Sequence, residues 1–178
     1  MTMADPKPRR PDPGDALSPM ALNVPVLGGR QRVYLLPGQL HVSAEPTQIC
    51  TILGSCVSIC LWDACRLAGG MNHFLLPASR EGEPASLRFA DVATKALLEK
   101  LLLLGCRPKN LRAKIFGGSL MFQNQDRYAA SLGAKNVAAA LCLMKNAGIS
   151  VAAQETGGTQ GRKIVFNTDD GTAWSRRV

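Results

Sequence analysis

The chain has 178 residues and a formal net charge of +8, with 46% hydrophobic and 19% charged residues; this composition is typical of a globular protein with one domain. No run of 18 apolar residues occurs, so the sequence predicts no transmembrane helix and no insertion into a membrane. The basic residues are scattered and only 5% of residues are aromatic, so nucleic-acid binding by base stacking is not expected, whereas an acidic protein surface is a suitable partner.

The N-terminal segment, residues 1–30, contains six of the eleven prolines and few large apolar residues. Such a segment buries too little apolar surface to offset the entropy lost on ordering, and it lacks the apolar stretch of a secretory signal. The six cysteines lie mostly within apolar runs, which favours a reduced protein without disulfides. We therefore predict a disordered tail over residues 1–30, a folded domain over residues 31–178, and a cytoplasmic location.

Short β-strands dominate the first third of the predicted domain. Five apolar runs separated by turn residues are predicted as strands: RVYLL, QLHVSA, QICTIL, CVSICLW and LAGGMNHFLL. The dipeptide Gly54-Ser55 separates the third run from the fourth, and a polar loop follows Pro77.

Helical periodicity begins at Phe89 and ends at Gly105, a residue that suits the position after a last helical turn. A strand, LRAKIFGG, and a loop containing Met121-Phe122 precede a second predicted helix, LGAKNVAAALCLMKNAG. The predicted faces of this helix are an apolar one with Val137, Ala140, Leu141 and Met144, and a polar one with Lys135, Asn136 and Lys145. The last three predicted strands are ISVAAQ, RKIVFN and TAWSRRV.

About eight strands and two long helices in this order predict an α+β (mixed α/β) sandwich. A doubly wound parallel sheet is not favoured, because the alternation of strand and helix is not sustained. The sequence contains neither a phosphate-binding loop nor a dinucleotide-binding motif, so no cofactor is predicted.

Cys56 and His73 are the residues with the clearest potential for chemistry. A nucleophilic cysteine needs a nearby base and an accessible position, and the Gly54-Ser55 turn offers both that position and backbone N–H groups for an oxyanion hole. His73 lies on the returning strand of a predicted hairpin, so the hairpin register can bring it beside Cys56.

Two other interpretations stay open from the residues alone. A cysteine in an apolar strand is more often a small buried residue, and a single histidine in a strand is more often a hydrogen-bonded core residue. A zinc site is not predicted, because the spacing of the possible ligands lacks a C-x2-C pair. Those possible ligands are Cys50, Cys56, Cys60, Cys65 and His73.

Several segments, in the same order, resemble the CheD family, the chemoreceptor glutamine deamidases of bacterial chemotaxis. They are LGSCVSICLWD, GGMNHFLLP, RFADVATKALLEKLLLLG, LRAKIFGGSLMF, LGAKNV and ETGGTQGRKIVFN, and the resemblance spans roughly residues 33–170. It implies an α-β-β-α sandwich similar to the catalytic domain of the deamidating cytotoxins.

The resemblance also implies a function and a site. Cys56 would be the nucleophile, and His73 its base, in a hydrolase that converts glutamine side chains of methyl-accepting chemotaxis receptors to glutamate. The implied partner is the cytoplasmic helical part of those receptors. In an alternative, non-catalytic role the chain would dock on receptors or on a CheC-type chemotaxis phosphatase.

A threonine that orients the histidine is implied six residues before the cysteine, where this chain has Cys50. Thr51 is the adjacent hydroxyl. Because a shift of one residue in a strand turns the side chain to the other face, Thr51 would need a local bulge to take this role. Either Thr51 orients His73 or Cys50 acts as a weaker acceptor, and we assign the role to Thr51.

Two glycine pairs and two cations complete the candidates. Gly117-Gly118 and Gly157-Gly158 are predicted either to place loops around the mouth of the site or only to form tight turns. Arg162 and Lys163 are predicted either to dock a partner or to be solvated.

Overall fold

The computed structural model describes residues 22–27, 29–120 and 127–178. Within these ranges the chain forms ten strands, two α-helices and one 3-10 turn, Pro108–Asn110. The strands are β1 Leu22–Leu27, β2 Arg30–Tyr34, β3 Gln39–Ser43, β4 Thr47–Leu53, β5 Val57–Asp63, β6 Ala68–His73, β7 Leu111–Gly117, β8 Ser150–Thr156, β9 Arg162–Asn167 and β10 Ala173–Arg177. The helices are α1 Ala90–Leu103 and α2 Arg127–Asn146.

The strands form two mixed sheets of five strands each. Sheet A has the order β1-β2-β4-β9-β10, and sheet B has the order β3-β6-β5-β7-β8. The pairs β2–β4 and β7–β8 are parallel, and all other pairs in the described sheets are antiparallel. Since β4 lies in sheet A and β5 in sheet B, the turn at Gly54-Ser55 carries the chain from one sheet to the other.

The two sheets pack face to face over an apolar core. Its buried members include Val33, Ile49, Ile164 and Phe166 from sheet A and Cys60, Met71 and Phe116 from sheet B. A Cβ atom added to Gly69 would lie 3.1 Å from the Phe166 ring and 2.9 Å from the Leu61 carbonyl oxygen. A glycine at position 69 therefore allows the sheets to approach this closely.

Both helices pack on the face of sheet B that is turned away from sheet A. Apolar residues of the helices and of sheet B form a second buried core, which includes Ile59, Leu97, Leu101, Ile115, Ala140 and Met144. The predicted α+β class with two long helices is confirmed. In the part of the chain that the structure describes, the layers are helices, sheet B and sheet A, and the second helical layer implied by the resemblance is not among them.

The N-terminal part of sheet A differs from the prediction. Leu22–Leu27 form the edge strand β1, antiparallel to β2, where the sequence analysis predicts a disordered tail. The prolines nearer the N-terminus dominate the composition of residues 1–30, whereas LNVPVL is itself apolar, and an edge strand tolerates Pro25. The rest of the predicted tail, residues 1–21, and the loop with Met121-Phe122 lie outside the described residues.

Helix α2 begins at Arg127, several residues before the predicted start, and two residues on it differ from the prediction. Asn136, predicted on the polar face, is fully buried, and Leu141, predicted on the apolar face, is 37% exposed. Ala140 and Met144 are buried as predicted. None of the helices described here is long and apolar enough to span a membrane.

Candidate active site

The inner faces of the two sheets bring Thr51 and His73 together. On β4 of sheet A, Thr51 shares the inward face with Ile49 and Leu53, and all three side chains are fully buried. On β6 of sheet B, Met71 and His73 face inward, and His73 is 2% exposed. The Thr51 Oγ1 atom lies 2.8 Å from His73 Nδ1, so the contact crosses the interface between the sheets.

The hydrogen bonds of Thr51 determine which imidazole nitrogen carries the proton. The Thr51 hydroxyl donates to the Leu35 carbonyl oxygen at 2.8 Å. A hydroxyl has one hydrogen, so Thr51 Oγ1 is left to accept from His73 Nδ1–H. Nε2 then holds the lone pair, and this buried atom makes no hydrogen bond within the described residues. The imidazole is therefore held in the tautomer that can act as a base through Nε2.

Burial determines the charge of His73. Because the ring is removed from water, its pKa is lowered from 6.5 to about 4, although a hydrogen bond involving the Leu35 backbone opposes this effect. At neutral pH the imidazole is uncharged, which is the form a general base requires.

Cys56 lies between the Gly54-Ser55 turn and the first residue of β5, Val57, and is partly exposed. A bridge between Val57 and Phe74 continues the β5–β6 register, in which Cys60 is opposite Met71. Since side chains alternate along a strand, Cys56 and His73 lie on the same inward face of sheet B, on adjacent strands and diagonal to each other. Cys56 also packs against the core between the sheets.

The Cys56 thiol is not ionised in advance. Burial raises its pKa, and its own backbone N–H only partly offsets that rise. Because both the thiol and the imidazole are neutral near pH 7, a nucleophilic attack by Cys56 would require the transfer of its proton to a base. His73 Nε2 is a base on the same face of the sheet.

The loop after β7 fixes the backbone around Cys56. The Gly118 N–H donates to the Cys56 carbonyl at 2.8 Å, and the Ser119 N–H donates to the Gly54 carbonyl at 2.8 Å. Gly117 has a φ of 110°, and a Cβ atom there would lie 2.2 Å from the Cys56 carbonyl oxygen, so a side chain is excluded. The Gly117-Gly118 pair therefore contacts the cysteine turn directly.

The second glycine pair supports the first. Gly157 donates its N–H to the Gly117 carbonyl, and the Gly158 carbonyl accepts from Leu120. Arg162 is only 4% exposed, and it donates to the carbonyls of Glu155 and Gly157. The prediction of a docking or solvated role is therefore wrong for Arg162, which stabilises this loop from inside, whereas Lys163 is exposed.

Asn136 is a site residue that the sequence analysis missed. Its side-chain amide nitrogen donates to the Ser55 carbonyl at 3.0 Å and to the Leu75 carbonyl at 2.8 Å. Ser55 directly precedes Cys56, and Leu75 is two residues beyond His73. One buried amide on α2 therefore holds the segment of each candidate catalytic residue. The spacing of Asn136, Ala140 and Met144 along one helix face is the signal that could have identified it.

Cys50 does not contact His73, because it lies on the opposite face of β4. It is paired with Tyr34 on one side and Val165 on the other, and the β4–β9 register is continuous through Thr51. No bulge is therefore needed for Thr51 to face inward. Among the described residues no group of three or more His, Cys, Asp or Glu side chains is arranged to hold a metal ion.

Comparisons with known proteins agree with the resemblance. A family model described as CheD chemotactic sensory transduction matches residues 75–177. A protein of Anaeromyxobacter dehalogenans named probable chemoreceptor glutamine deamidase CheD 1 is 47% identical over 164 residues, covering 92% of this chain and 95% of its own. A probable chemoreceptor glutamine deamidase CheD of Rhodospirillum rubrum is 43% identical over 145 residues, covering 82% of this chain and 81% of its own.

A third relative, from Trichlorobacter lovleyi and also named probable chemoreceptor glutamine deamidase CheD, is 40% identical over 141 residues, covering 79% of this chain and 87% of its own. The family model begins after His73. The 164-residue match is long enough that it has to include Thr51, Cys56 and His73. On the strength of both the family model and these relatives, the chain belongs to the CheD family.

Proposed function

We propose that this protein is a protein-glutamine deamidase that converts glutamine side chains of methyl-accepting chemotaxis receptors to glutamate. The observation that carries the proposal is the contact between Thr51 Oγ1 and His73 Nδ1 at 2.8 Å, which leaves a neutral Nε2 as a base on the face that carries Cys56. The curated relatives are named for the same activity.

In the proposed first step, His73 Nε2 takes the proton of the Cys56 thiol as the sulfur attacks the carboxamide carbon of a substrate glutamine. A carbon–sulfur bond forms, and the carbonyl oxygen becomes an oxyanion. Backbone N–H groups at Ser55 and Cys56 are the proposed donors to that oxyanion. The carbonyls on either side of them, at Gly54 and Cys56, are held by Ser119 and Gly118, which supports a fixed turn there.

In the second step the protonated His73 gives its proton to the departing nitrogen, the carbon–nitrogen bond breaks, and ammonia leaves a thioester on Cys56. Water then attacks the thioester with His73 again acting as the base. Glutamate is released and the thiol is regenerated. The net reaction consumes one water and releases one ammonia for each glutamine.

The proposed substrate region is the cytoplasmic helical part of the receptors, which places the enzyme in the cytoplasm. A basic chain approaching an acidic helical bundle is electrostatically favourable, and the net charge of +8 supports this choice of partner.

Mass spectrometry of a receptor cytoplasmic fragment tests the proposed activity. We expect the wild-type protein to convert specific glutamines to glutamates, and Cys56→Ala and His73→Ala to lose at least about 10³-fold of the rate. Cys142→Ala and His41→Ala are matched controls, since Cys142 is an exposed cysteine and His41 is the only other histidine. Conversion that survives in both site variants would reject this assignment.

The alternative from the sequence, a module that docks on a CheC-type phosphatase, predicts a different result. Wild type and Cys56→Ala would bind the phosphatase equally, and neither would release ammonia from a receptor fragment. Such a result would favour the binding module over the enzyme.

A further inference from the structure

The outer face of sheet A, which is turned away from sheet B, is not covered by either helix of the described ranges. The helices α1 and α2 make their extensive contacts with strands of sheet B. Side chains alternate along a strand, so every second residue of β2, β4, β9 and β10 points to this outer face.

An apolar row crosses the outer face. Tyr34 is opposite Cys50, Cys50 is opposite Val165, and Val165 is opposite Trp174. The Trp174 side chain is 55% exposed. An exposed tryptophan at the end of such a row is typical of surfaces that bind other proteins.

A second row beside the first carries positive charge. Ile52 is opposite Lys163, and Lys163 is opposite Arg176. Ile52 is 48% exposed, and both cations are exposed. A third cation, Arg32, flanks the apolar row on its other side, opposite Gln48. The strand positions on this face of β2, β4, β9 and β10 include no aspartate or glutamate.

Two further observations support the conclusion that the cations and the apolar row lie close together on the outer face of sheet A. Arg32 and Lys163 both lower the pKa of Cys50, against the larger effect of burial, so both cations lie close to that sulfur. Lys163, Val165, Trp174 and Arg176 line one shallow depression of about 240 Å³.

The charged row lies at the end of the face nearest the candidate active site. Ile52 on the outer face directly follows Thr51, whose side chain contacts His73 on the inner face. Two residues beyond Ile52 the Gly54-Ser55 turn begins, and it leads to Cys56. A partner that covers Lys163 and Arg176 is therefore near the end of the face from which the chain leads to Cys56.

We propose that the outer face of sheet A docks an acidic helical surface of the protein substrate. This inference rests on the proposed function. Cations beside an apolar row complement carboxylates that flank apolar residues on a helical bundle. A second copy of the chain is a poor occupant, because a twofold pairing of this face would bring Lys163 and Arg176 against the same positive charges.

The test is a double charge reversal, Lys163→Glu with Arg176→Glu, measured against two substrates. One substrate is a receptor cytoplasmic helical fragment, and the other is a short glutamine peptide that reaches only the active site. We expect the KM for the fragment to rise at least about tenfold, while the rate on the peptide and the rate of Cys56 alkylation stay unchanged. Both sites are exposed, so the variant should fold.

The matched control reverses two cations on the other side of the molecule, Lys95→Glu on α1 with Lys145→Glu on α2, both exposed. An equal rise in KM for the control would mean that only net charge matters, and this would overturn the proposal. An unchanged KM in the sheet A variant would also overturn it. So would a dimer of the wild type, seen by light scattering, that the sheet A variant abolishes.

Failure of the proposed function can be distinguished from failure of the docking surface. If the wild type deamidates neither substrate, the activity is rejected, and docking is then decided by titrating the receptor fragment into both double variants. Tight binding to wild type and control with weak binding to the sheet A variant supports the surface. Equal binding to all three, or no binding at all, rejects it.

Discussion

At the scale of single residues, one hydroxyl determines the chemistry of the site. Thr51 donates to the Leu35 carbonyl and contacts His73 Nδ1, so it fixes both the tautomer and the orientation of the ring. A histidine in a strand would otherwise be free to present either nitrogen to Cys56.

Removing that hydroxyl should reduce the rate without unfolding the protein. We expect Thr51→Val to lower kcat/KM for deamidation by about 10- to 100-fold, because Nδ1 loses its partner and the base is no longer held in place. Thr51→Ser keeps the hydroxyl and should retain most of the activity. The measurement is steady-state ammonia release from a receptor fragment.

The control for this change is Thr94→Val, which removes a buried hydroxyl from α1 that has no hydrogen-bond partner in the described residues. It should leave kcat/KM unchanged. If Thr51→Val were as active as the wild type, the orienting role of Thr51 would be wrong.

The choice between Thr51 and Cys50 shows what the sequence can and cannot predict at this scale. Residue types identified Cys56 and His73 as candidates, because few side chains of the chain suit nucleophilic chemistry, whereas Thr51 became a candidate only through the family resemblance. Residue types could not determine whether Cys50 or Thr51 faces inward, since this depends on how many residues separate the end of β4 from Cys56. The regular β4–β9 register places Thr51 inward without the predicted bulge.

At the scale of secondary-structure elements, α2 connects the helical layer to the site through Asn136. Its side chain donates to the turn before Cys56 and to the chain after His73, and these two segments flank different strands, β5 and β6. Its position on α2 relative to both is fixed by the packing of Ala140 and Met144 against sheet B.

Replacing Asn136 should impair catalysis more than binding. Asn136→Leu removes the two hydrogen bonds to the Ser55 and Leu75 carbonyls, which costs on the order of 1–3 kcal/mol of stability. We also expect kcat to fall at least about tenfold with KM nearly unchanged, because a misplaced base or nucleophile slows the reaction without altering the docking surface. Urea denaturation and steady-state kinetics measure the two effects.

Asn146→Leu makes the same substitution at an exposed position of the same helix and serves as the control. A variant of Asn136 with lowered stability and an unchanged kcat would show that this residue has only a structural role. The residue type of Asn136 predicts the polar face of α2, although its spacing to Ala140 and Met144 puts it on the buried face.

At the scale of the whole molecule, the fold places a partly accessible thiol and a buried imidazole where two sheets meet. The predicted α+β class followed from the strand and helix periodicities, which are local. The order of the layers could not be predicted from these local periodicities, because the position of each helix depends on long-range packing on sheet B. The same arrangement leaves the outer face of sheet A for a partner.

The burial of His73 between the sheets has a measurable consequence for its protonation. Its pKa is lowered to about 4 by removal from water, so the ring stays neutral as the pH falls through the usual histidine range. In the proposed mechanism the neutral ring is the base, so the acid side of the pH–rate profile should fall near pH 4 and not near 6.5, the ordinary pKa.

Nitrogen NMR of the two imidazoles measures the tautomer and the charge of His73 directly. The chain has only two histidines, so His41→Gln assigns the signals of His73 in an otherwise intact protein. We predict that His73 is neutral with its proton on Nδ1 at pH 7, and that it becomes protonated only as the pH approaches about 4. A proton on Nε2, or protonation near pH 6.5, would contradict the claim that His73 is held as the base for Cys56.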